Sequence, residues 1–340
     1  MSESAKKQEI LEASQDPVFD SGVFDAIQRE TPEQRRALKF ELPEYLRTPE
    51  HLEMVEDFFE VEVGRQLAYR VWRPKNTEVQ VMLVRVLGLN DSARWTTQFE
   101  FHRWATELNA AVCVVEPSGH GLSDGLWLDL PRGFSGIVDD VARFVEFARD
   151  LHPEVPLFVL GESMGGAVAF DLATKHADTL LRLGHRGTIL AAPMLGIVDV
   201  PPAPVVWTLK ALTTLVPKWR MVARPSLLCG LCWDQDIRLR IRNGPFFSPG
   251  KVRLRMAREL LDASLRIESE LHTLDTPFLV LHGSEDHVTC PKQSQQLYER
   301  SRAEDKTMHL VEQGPHCLFL EPSTRDHARD LVVDWVRQRL

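Results

Sequence analysis

The 340-residue sequence has little cysteine and no long apolar run. Its five cysteines are an odd number spread over the chain, which argues against a disulfide framework and favours a reducing compartment. The CxxC pair of Cys229 and Cys232 has no second pair to complete a four-ligand zinc site, so both are interpreted as small apolar residues. No stretch of about 18 uninterrupted apolar residues occurs, so no segment is expected to span a bilayer.

The sequence also lacks a recognisable targeting signal. The N-terminal residues run into acidic positions without the apolar core of a signal peptide, and Ser2 stands where N-myristoylation requires glycine. We therefore expect a cytoplasmic protein. Any contact with a membrane would be peripheral.

An excess of basic charge is absent as well. Forty Lys and Arg residues stand against 49 Asp and Glu residues, which gives a formal net charge of −9. Because such a chain has no general electrostatic attraction to a polyanion, nucleic acid is not expected among its partners. Apolar residues make up 44% of the sequence, which is typical of a soluble globular protein with a large core.

Apolar patterning divides the chain into four regions. Residues 1–50 are polar and are interpreted as an extension with one or two short helices, whereas residues 51–193 and 277–340 contain apolar runs separated by helical stretches. This alternation predicts an α/β fold with a mostly parallel, doubly wound sheet. The predicted strands are 58–63, 67–72, 79–87, 110–115, 157–160, 188–191, 278–281 and 308–311. Since residues 194–276 are far too long for a simple connection, they are predicted to form an inserted cap.

Two helices are predicted inside this insertion. The first carries apolar side chains on one face, which we interpret primarily as packing on the main domain and alternatively as an acyl-binding or membrane-skimming lid. Its apolar positions are Val205, Leu209, Leu212 and Val216. The second is a basic amphipathic helix from Lys251 to Leu271, whose charges are expected to form a solvated face. Its basic positions include Arg253, Arg255 and Arg258.

The sharpest motif is the G-x-S-x-G pentapeptide that begins at Gly161 and ends at Gly165. The pentapeptide alone is weak evidence, but here it follows an apolar strand and precedes a helical run from Ala167 to Ala177. That context predicts the strand-turn-helix elbow that carries a nucleophilic serine, here Ser163. Side chains at Gly161, Gly165 or Gly166 would collide with the neighbouring strand and helix. The alternative is a tight turn or phosphate-binding loop with a capping serine.

A serine nucleophile needs a histidine base and an acid that orients the base. Asp286 comes just after the strand that follows the insertion, and His316 comes just after the next strand. The chain order Ser163, Asp286, His316 therefore predicts a catalytic triad. The rivals are Glu285 for the acid and His287 and His309 for the base.

Acyl transfer also requires two backbone N–H donors for the oxyanion. Met164 follows the nucleophile and is predicted to supply one donor. The loop from Leu87 to Asn90 is predicted to supply the other through Leu89, with Gly88 allowing close approach of the substrate oxygen. The tight loop at residues 119–125, which contains His120, is interpreted as structural.

From about Phe58 to Leu340 the chain resembles the monoacylglycerol lipase and lysophospholipase-like branch of the α/β-hydrolase superfamily, which includes a plant caffeoyl shikimate esterase. The likeness rests on GHGLSDG (119–125), GESMGGAVAF (161–170), AAPML (191–195), LHGSEDHVTCP (281–291) and the stretch 305–316. It implies an eight-stranded α/β-hydrolase core with an inserted cap whose helix dips into lipid and shapes an acyl pocket. It also implies the site residues, namely the nucleophile Ser163, the acid Asp286, the base His316 and the oxyanion donors Leu89 and Met164.

Three positions depart from the pattern of this family. Leu87 replaces a histidine before the oxyanion loop, Glu116 replaces an aspartate before the loop at 119–125, and Cys290 replaces a carboxylate that many relatives carry. None of the three belongs to the predicted triad. The loss of the histidine is expected to lower or narrow the activity.

Together these features predict a serine ester hydrolase that cleaves a monoacylglycerol or lysophospholipid through an acyl-enzyme at Ser163. No metal or organic cofactor is expected, the substrate is a small lipid ester, and the cap is the expected place for peripheral membrane contact. An esterase for hydroxycinnamoyl or other small carboxylic esters is the first alternative. An inactive binding or scaffold protein is the second, and Leu87 is the feature that favours it. The sequence leaves the oligomeric state open.

Overall fold

The computed structural model describes residues 30–95, 97–152, 154–196, 202–222, 230–248 and 251–340. Its strands are β1 (Leu52–Glu62), β2 (Arg65–Pro74), β3 (Val81–Val86), β4 (Ala110–Val115), β5 (Leu157–Glu162), β6 (His185–Ala191), β7 (Arg220–Val222), β8 (Val252–Arg253), β9 (Phe278–Gly283) and β10 (Lys306–Val311). Its helices are α1 (Pro32–Arg36), α2 (Gln98–Glu107), α3 (Gly133–Leu151), α4 (Met164–Lys175), α5 (Ala177–Arg182), α6 (Ala203–Leu215), α7 (Gln235–Arg242), α8 (Leu254–Glu270), α9 (Pro291–Arg300) and α10 (Arg325–Arg337).

Eight of these strands form one sheet in the order β1-β2-β4-β3-β5-β6-β9-β10. The pairs β1–β2 and β2–β4 are antiparallel, and all the remaining pairs of neighbours are parallel. The prediction of a mostly parallel, eight-stranded sheet is therefore confirmed. The short antiparallel pair β7–β8 lies within the long connection between β6 and β9.

The central strands bury side chains on both faces of the sheet. In β3, Met82, Val84 and Val86 belong to one apolar core, whereas Val81 and Leu83 belong to the other. Side chains of α3, α4 and α8 complete the first core, and side chains of α2 and α10 complete the second. Because both faces are covered, the sequences of these strands are near-continuous apolar runs and do not alternate between apolar and polar residues.

The catalytic candidates follow strands that run in the same direction. Strands β3, β5, β9 and β10 are followed by Leu89, Ser163, Asp286 and His316 respectively. In a parallel sheet the carboxyl ends of the strands share one edge, which is where open α/β sheets bind their ligands. The topology therefore gathers the predicted site residues at one edge.

The predicted cap contains α6, β7, α7, β8 and α8. Helix α8 buries Met256, Ala263 and Ile267 in the first apolar core, so its inner face is continuous with the packing of the main sheet. The division of the chain at residues 194 and 276 stays a prediction. Among the described residues, no helix combines the length and the apolar character needed to cross a membrane.

The prediction that the arginines near α8 form a solvated face is wrong for two of them. Arg253 is buried and donates hydrogen bonds to the carbonyl oxygens of Trp127 at 3.0 Å and Lys218 at 2.6 Å. Arg255 pairs with the buried carboxylate of Asp129 at 2.6 Å. A guanidinium carries several fixed donors, so it can satisfy loop carbonyls and carboxylates that a helical pattern does not reveal.

Helix α6 is only partly covered. Leu209, Leu212 and Val216 are half-buried, as expected for a packed face, whereas Val205 is 54% exposed. Trp207 is 77% exposed on the same helix. Helix α6 contacts α8, which is itself part of the predicted cap, so packing of this face on the main domain stays a prediction, and the exposure of Val205 does not fit it.

The predicted N-terminal extension is described from residue 30 onward, and residues 1–29 lie outside the described part. Helix α1 begins after a Thr31 capping box. Arg35 on this helix is fully buried and donates to the carbonyl oxygens of Gly121 at 2.6 Å and Gly125 at 2.9 Å. This part of the extension is therefore fixed to the loop at residues 119–125.

Candidate active site

Ser163 occupies a strained turn between β5 and α4. Its backbone has φ 58° and ψ −123°, a conformation that is rare for a residue with a side chain. The Ser163 N–H donates to Ala191 O at 3.0 Å, and its carbonyl accepts from the N–H groups of Gly166 and Met194, each at 3.0 Å. These hydrogen bonds stabilise the strained turn, which has the geometry expected of a nucleophile elbow.

Three glycines allow this turn to form. A Cβ atom at Gly161 would lie 2.1 Å from Gly165 O, and one at Gly165 would lie 2.2 Å from Val86 O. A Cβ atom at Gly166 would lie 2.6 Å from Pro193 Cβ. The predicted collisions are therefore confirmed for Gly161, with helix α4, and for Gly165, with strand β3, whereas a side chain at Gly166 would meet Pro193 after β6.

Asp286 and His316 lie in the loops after β9 and β10 and are hydrogen-bonded to each other. The His316 Nδ1 atom is 2.7 Å from Asp286 Oδ2, and both side chains are buried. With Nδ1–H donating to the carboxylate, Nε2 carries the lone pair that can accept a proton. The structure therefore brings together the predicted acid and base.

The electrostatics of this pair suit a charged acid and a basic imidazole. Burial alone would raise the pKa of Asp286, but the His316 charge and the hydrogen bonds from His282 and His316 outweigh burial and hold that pKa well below its usual range. Burial alone would lower the pKa of His316, but the Asp286 charge and hydrogen bond raise it above its ordinary value, and the Glu162 charge adds to this.

Sequence reasoning missed two side chains that contact the pair. His282 Nε2 lies 3.1 Å from Asp286 Oδ2, and His282 Nδ1 lies 2.7 Å from Ser294 Oγ. Thr289 Oγ1 lies 2.8 Å from Asp286 Oδ2 and 3.2 Å from His316 Nδ1. A histidine at the end of an otherwise apolar strand, four residues before the acid, was the available signal for His282.

Ser163 lies at the same sheet edge but is not hydrogen-bonded to the base. Thr289 Oγ1 donates to Ala192 O at 3.0 Å, and the preceding residue, Ala191, accepts the N–H of Ser163. Among the described residues, Ser163 Oγ has no hydrogen-bond partner. In enzymes without substrate such bonds are often long and tighten only when substrate binds.

The predicted oxyanion donors flank Ser163. A Cβ atom at Gly88 would lie only 3.4 Å from Ser163 Cβ, so the loop from Leu87 to Asn90 lies against Ser163. Within the described part of the chain, the backbone N–H groups of Leu89 and Met164 donate to no protein acceptor. Two unsatisfied amides beside a nucleophile are what an oxyanion needs.

The loop from Leu87 to Asn90 is hydrogen-bonded to the predicted cap. Asn90 has φ 67°, and its side chain donates to Ser248 O at 3.0 Å and accepts from Ser248 N at 2.9 Å. This pair of bonds fixes the loop from the cap side.

Two of the residues that depart from the family pattern, Leu87 and Glu116, are buried. Leu87 is fully buried in the second apolar core. Glu116 is also buried, pairs with Arg94 at 2.5 Å, and accepts from Ser92 Oγ at 2.6 Å and from Leu122 N at 2.9 Å. Its carboxylate therefore joins the segment after the oxyanion loop to the loop at 119–125.

The alternative candidates for the acid, Glu285, and for the base, His287 and His309, make different contacts from Asp286 and His316. Glu285 donates its backbone N–H to Gly314 O, and His287 packs edge-on against Trp233. His309 is half-buried on β10. His120 is buried, and burial lowers its pKa to about 4, in keeping with a structural role.

Cys232 lies in a small apolar cluster with Ile241, whereas its predicted companion Cys229 lies outside the described residues. Cys290 is half-buried at the start of α9. The surroundings of Cys232 agree with its interpretation as a small apolar residue.

Comparisons with known proteins show similarity to several hydrolases. A family model described as "Serine aminopeptidase, S33" matches residues 77–323. The chain is 29% identical over 280 residues to human monoglyceride lipase, covering 81% of this chain and 88% of that protein. It is 26% identical over 299 residues to caffeoylshikimate esterase of Arabidopsis thaliana, covering 83% and 85%. The crystal structure of a soluble variant of monoglyceride lipase from Saccharomyces cerevisiae, in complex with a substrate analog, has a TM-score of 0.69 at 18% identity, covering 84% and 94%.

Proposed function

The chain belongs to the hydrolase family described as "Serine aminopeptidase, S33", and on that premise we propose that it hydrolyses monoacylglycerols with Ser163 as the nucleophile. It has the predicted α/β-hydrolase fold and is an enzyme of the esterase or lipase type. The observation that carries the serine mechanism is the 2.7 Å hydrogen bond between Asp286 and His316, at the sheet edge where Ser163 sits on its elbow.

The proposed mechanism follows from these positions. His316 Nε2 takes the proton of Ser163 Oγ as the oxygen attacks the ester carbonyl, and Asp286 stabilises the resulting imidazolium. The backbone N–H groups of Leu89 and Met164 donate to the oxyanion. The imidazolium then gives its proton to the leaving glycerol oxygen, which breaks the ester bond and leaves an acyl-enzyme. His316 next deprotonates a water that attacks the acyl carbon, and the fatty acid leaves as Ser163 regains its proton.

A monoacylglycerol is the favoured substrate for two reasons. The curated relatives include monoglyceride lipases from several organisms, and the predicted cap carries an exposed apolar helix, α6, that suits a lipid ester. An aromatic ester is the second candidate because the relatives also include a caffeoylshikimate esterase. A lysophospholipid is a further candidate substrate of the lipid class.

We also propose that the cap contacts a lipid surface. Trp207 and Leu215 on α6 are each 77% exposed, and Trp219 after this helix is 57% exposed. Tryptophan and leucine on one exposed segment are typical of interfacial binding, because their apolar atoms enter the boundary between headgroups and acyl chains.

One experiment tests the nucleophile. The wild-type protein is treated with a fluorophosphonate, and we expect labelling at Ser163 that disappears in Ser163→Ala. Well-folded wild-type protein that resists labelling would overturn the proposed mechanism and favour a binding or scaffold role.

A second experiment tests the substrate. Hydrolysis rates are compared across monoacylglycerols of several chain lengths, lysophosphatidylcholine and caffeoyl esters, with Ser163→Ala as the blank. We expect the monoacylglycerols to be cleaved fastest. Preference for the caffeoyl esters would overturn the lipid assignment in favour of the aromatic-ester candidate.

A further inference from the structure

A cleft with a volume of about 250 Å³ is lined by none of Ser163, Asp286 and His316. It is formed where the segment before β1, the start of α2, the end of α7 and the loop before α10 meet. Its lining residues are Tyr45, Phe99, Ile237, Arg240, Phe319, Leu320 and Arg325. The walls are thus aromatic and aliphatic, with two guanidinium groups among them.

Each of the two guanidinium groups lies over an aromatic ring. The Arg240 guanidinium lies 4.5 Å from the centroid of the Tyr45 ring, and that of Arg325 lies 5.9 Å from the centroid of Phe99. Within the part of the chain that the structure describes, neither side chain forms an ion pair or a hydrogen bond, and Arg325 Nε is buried without a partner. A guanidinium that stacks through its face keeps its N–H edge available for an anion.

Nearby acidic groups form no ion pair with Arg240 or Arg325 among the described residues, although the charge of Arg325 contributes to lowering the pKa of Asp326. Asp326 pairs instead with Arg103 at 2.9 Å and Arg329 at 2.6 Å. Glu100 lies near Arg325, but burial raises the pKa of its carboxyl to about 8, so most of it is protonated and uncharged at neutral pH. The cleft therefore combines apolar walls with two guanidinium groups that have no direct ion-pair partner within the described part of the chain.

We propose that this cleft binds an amphiphilic carboxylate of the fatty-acid class, with its head between Arg240 and Arg325 and its chain against the aromatic walls. Two planar guanidinium donors suit a carboxylate, whereas an uncharged ester offers no charge to either of them. The choice of a fatty acid rests on the proposed function, because ester hydrolysis releases such an anion. The cleft is thus a product site separate from the catalytic serine.

The binding experiment uses the whole chain and keeps the catalytic site out of the signal. Decanoate, at concentrations below micelle formation, is titrated calorimetrically into wild-type protein blocked at Ser163 with a long-chain fluorophosphonate, and into Ser163→Ala. We expect decanoate to bind in both and decanol and inorganic phosphate to bind in neither. Arg240→Gln and Arg325→Gln are each expected to weaken decanoate binding by about tenfold or more, because each removes a charge-assisted contact.

Arg302→Gln is the matched control. Arg302 is exposed, has no ion pair among the described residues and does not line the cleft, so the same change of charge there should leave decanoate binding unchanged. The proposed site would be overturned if Arg240→Gln and Arg325→Gln bound decanoate as tightly as the control Arg302→Gln. It would also be overturned if decanol bound as tightly as decanoate.

The two proposals can fail separately. A protein that hydrolyses monoacylglycerols but leaves decanoate unbound overturns the cleft and keeps the proposed function. A protein that shows arginine-dependent decanoate binding but no ester hydrolysis keeps the cleft and overturns the proposed function.

Discussion

Asp286 is surrounded by hydrogen-bond donors, and this arrangement sets the basicity of His316. Oδ1 accepts from the N–H groups of Val288 at 2.7 Å and Thr289 at 3.0 Å, while Oδ2 accepts from His316 and lies within bonding distance of His282. Each additional donor spreads the negative charge of the carboxylate, so less of that charge acts on the imidazolium of His316. We therefore expect His282 to lower the pKa of His316, the proposed base, by acting through Asp286.

We expect His282→Leu to move the acidic limb of the pH profile of kcat/KM to higher pH by about one unit, the worth of one charge-assisted hydrogen bond. The active form needs neutral His316, whose pKa is already raised by Asp286, and loss of the His282 donor raises that pKa further. Activity at low pH should therefore fall more than activity at high pH.

His282→Gln, whose amide can still donate to Asp286, should restore the limb in part, and His309→Leu on β10 is the control. Thermal unfolding of each variant identifies any loss of fold. A uniform drop of kcat/KM at every pH, with no shift of the limb, would assign His282 a purely structural role.

At the residue scale, the sequence predicts a nucleophile, an acid and a base, because serine hydrolysis requires these three groups. Ser163, Asp286 and His316 each follow a strand, so the G-x-S-x-G motif together with the order of the strands predicts them as a triad. His282 and Thr289 were missed because their role depends on which loop carries them to the acid. Hydrogen bonds of this kind are set by tertiary packing, which no spacing encodes.

At the scale of single elements, α1 shows how a short polar helix can matter for stability. Arg35 donates to three carbonyl groups of the loop at 119–125, those of Gly121, Ser123 and Gly125. The sequence predicts one or two short helices in this polar extension but not the contacts of Arg35, because its loop acceptors lie 86 or more positions away.

We expect Arg35→Ala to lower the free energy of unfolding by about 2 to 4 kcal/mol, because buried carbonyls lose their charged donor. Arg36→Ala on the same helix is the control. Arg36 makes its hydrogen bonds at the exposed surface, and its loss should cost under about 1 kcal/mol. Urea unfolding followed by fluorescence measures both, and equal losses would show that α1 is not fixed through Arg35.

Helix α6 is the element that the membrane proposal depends on. We expect Trp207→Glu combined with Leu215→Glu to weaken binding to anionic lipid vesicles by about tenfold or more, because two apolar anchors become charged. Co-sedimentation with the vesicles measures this. Hydrolysis of a soluble short-chain ester should be unchanged.

The matched control for α6 is Leu181→Glu on α5. Leu181 is 73% exposed and lies outside the predicted cap, so it tests whether any exposed apolar residue has the same effect. Vesicle binding that survives the α6 changes, or that falls equally in the α5 control, would place the lipid contact elsewhere.

Across the whole molecule, the predicted cap is joined to the catalytic loops by several polar contacts. Cys317, next to His316, donates its N–H to Leu231 O at 2.9 Å. Glu321, on the same loop, accepts from the N–H groups of Trp233 at 2.7 Å and Asp234 at 3.1 Å. The length of the insertion predicted a cap, but these contacts join positions about 85 residues apart, and only the folded chain reveals them.

Asn90 makes the corresponding contact on the oxyanion side, and it allows a clean test of coupling between cap and site. Its positive φ would strain alanine, so Asn90→Gly is the informative change, because glycine accepts that backbone and removes only the two bonds to Ser248. We expect kcat for monoacylglycerol to fall by about tenfold as the Leu89 donor loses its fixed position. Fluorophosphonate labelling of Ser163 should slow in parallel, since the phosphonyl oxygen uses the same amides.

Asn109→Gly, at another asparagine with positive φ (47°), controls for the added backbone freedom. If both glycine variants keep wild-type kcat, the cap does not position the oxyanion loop through Asn90.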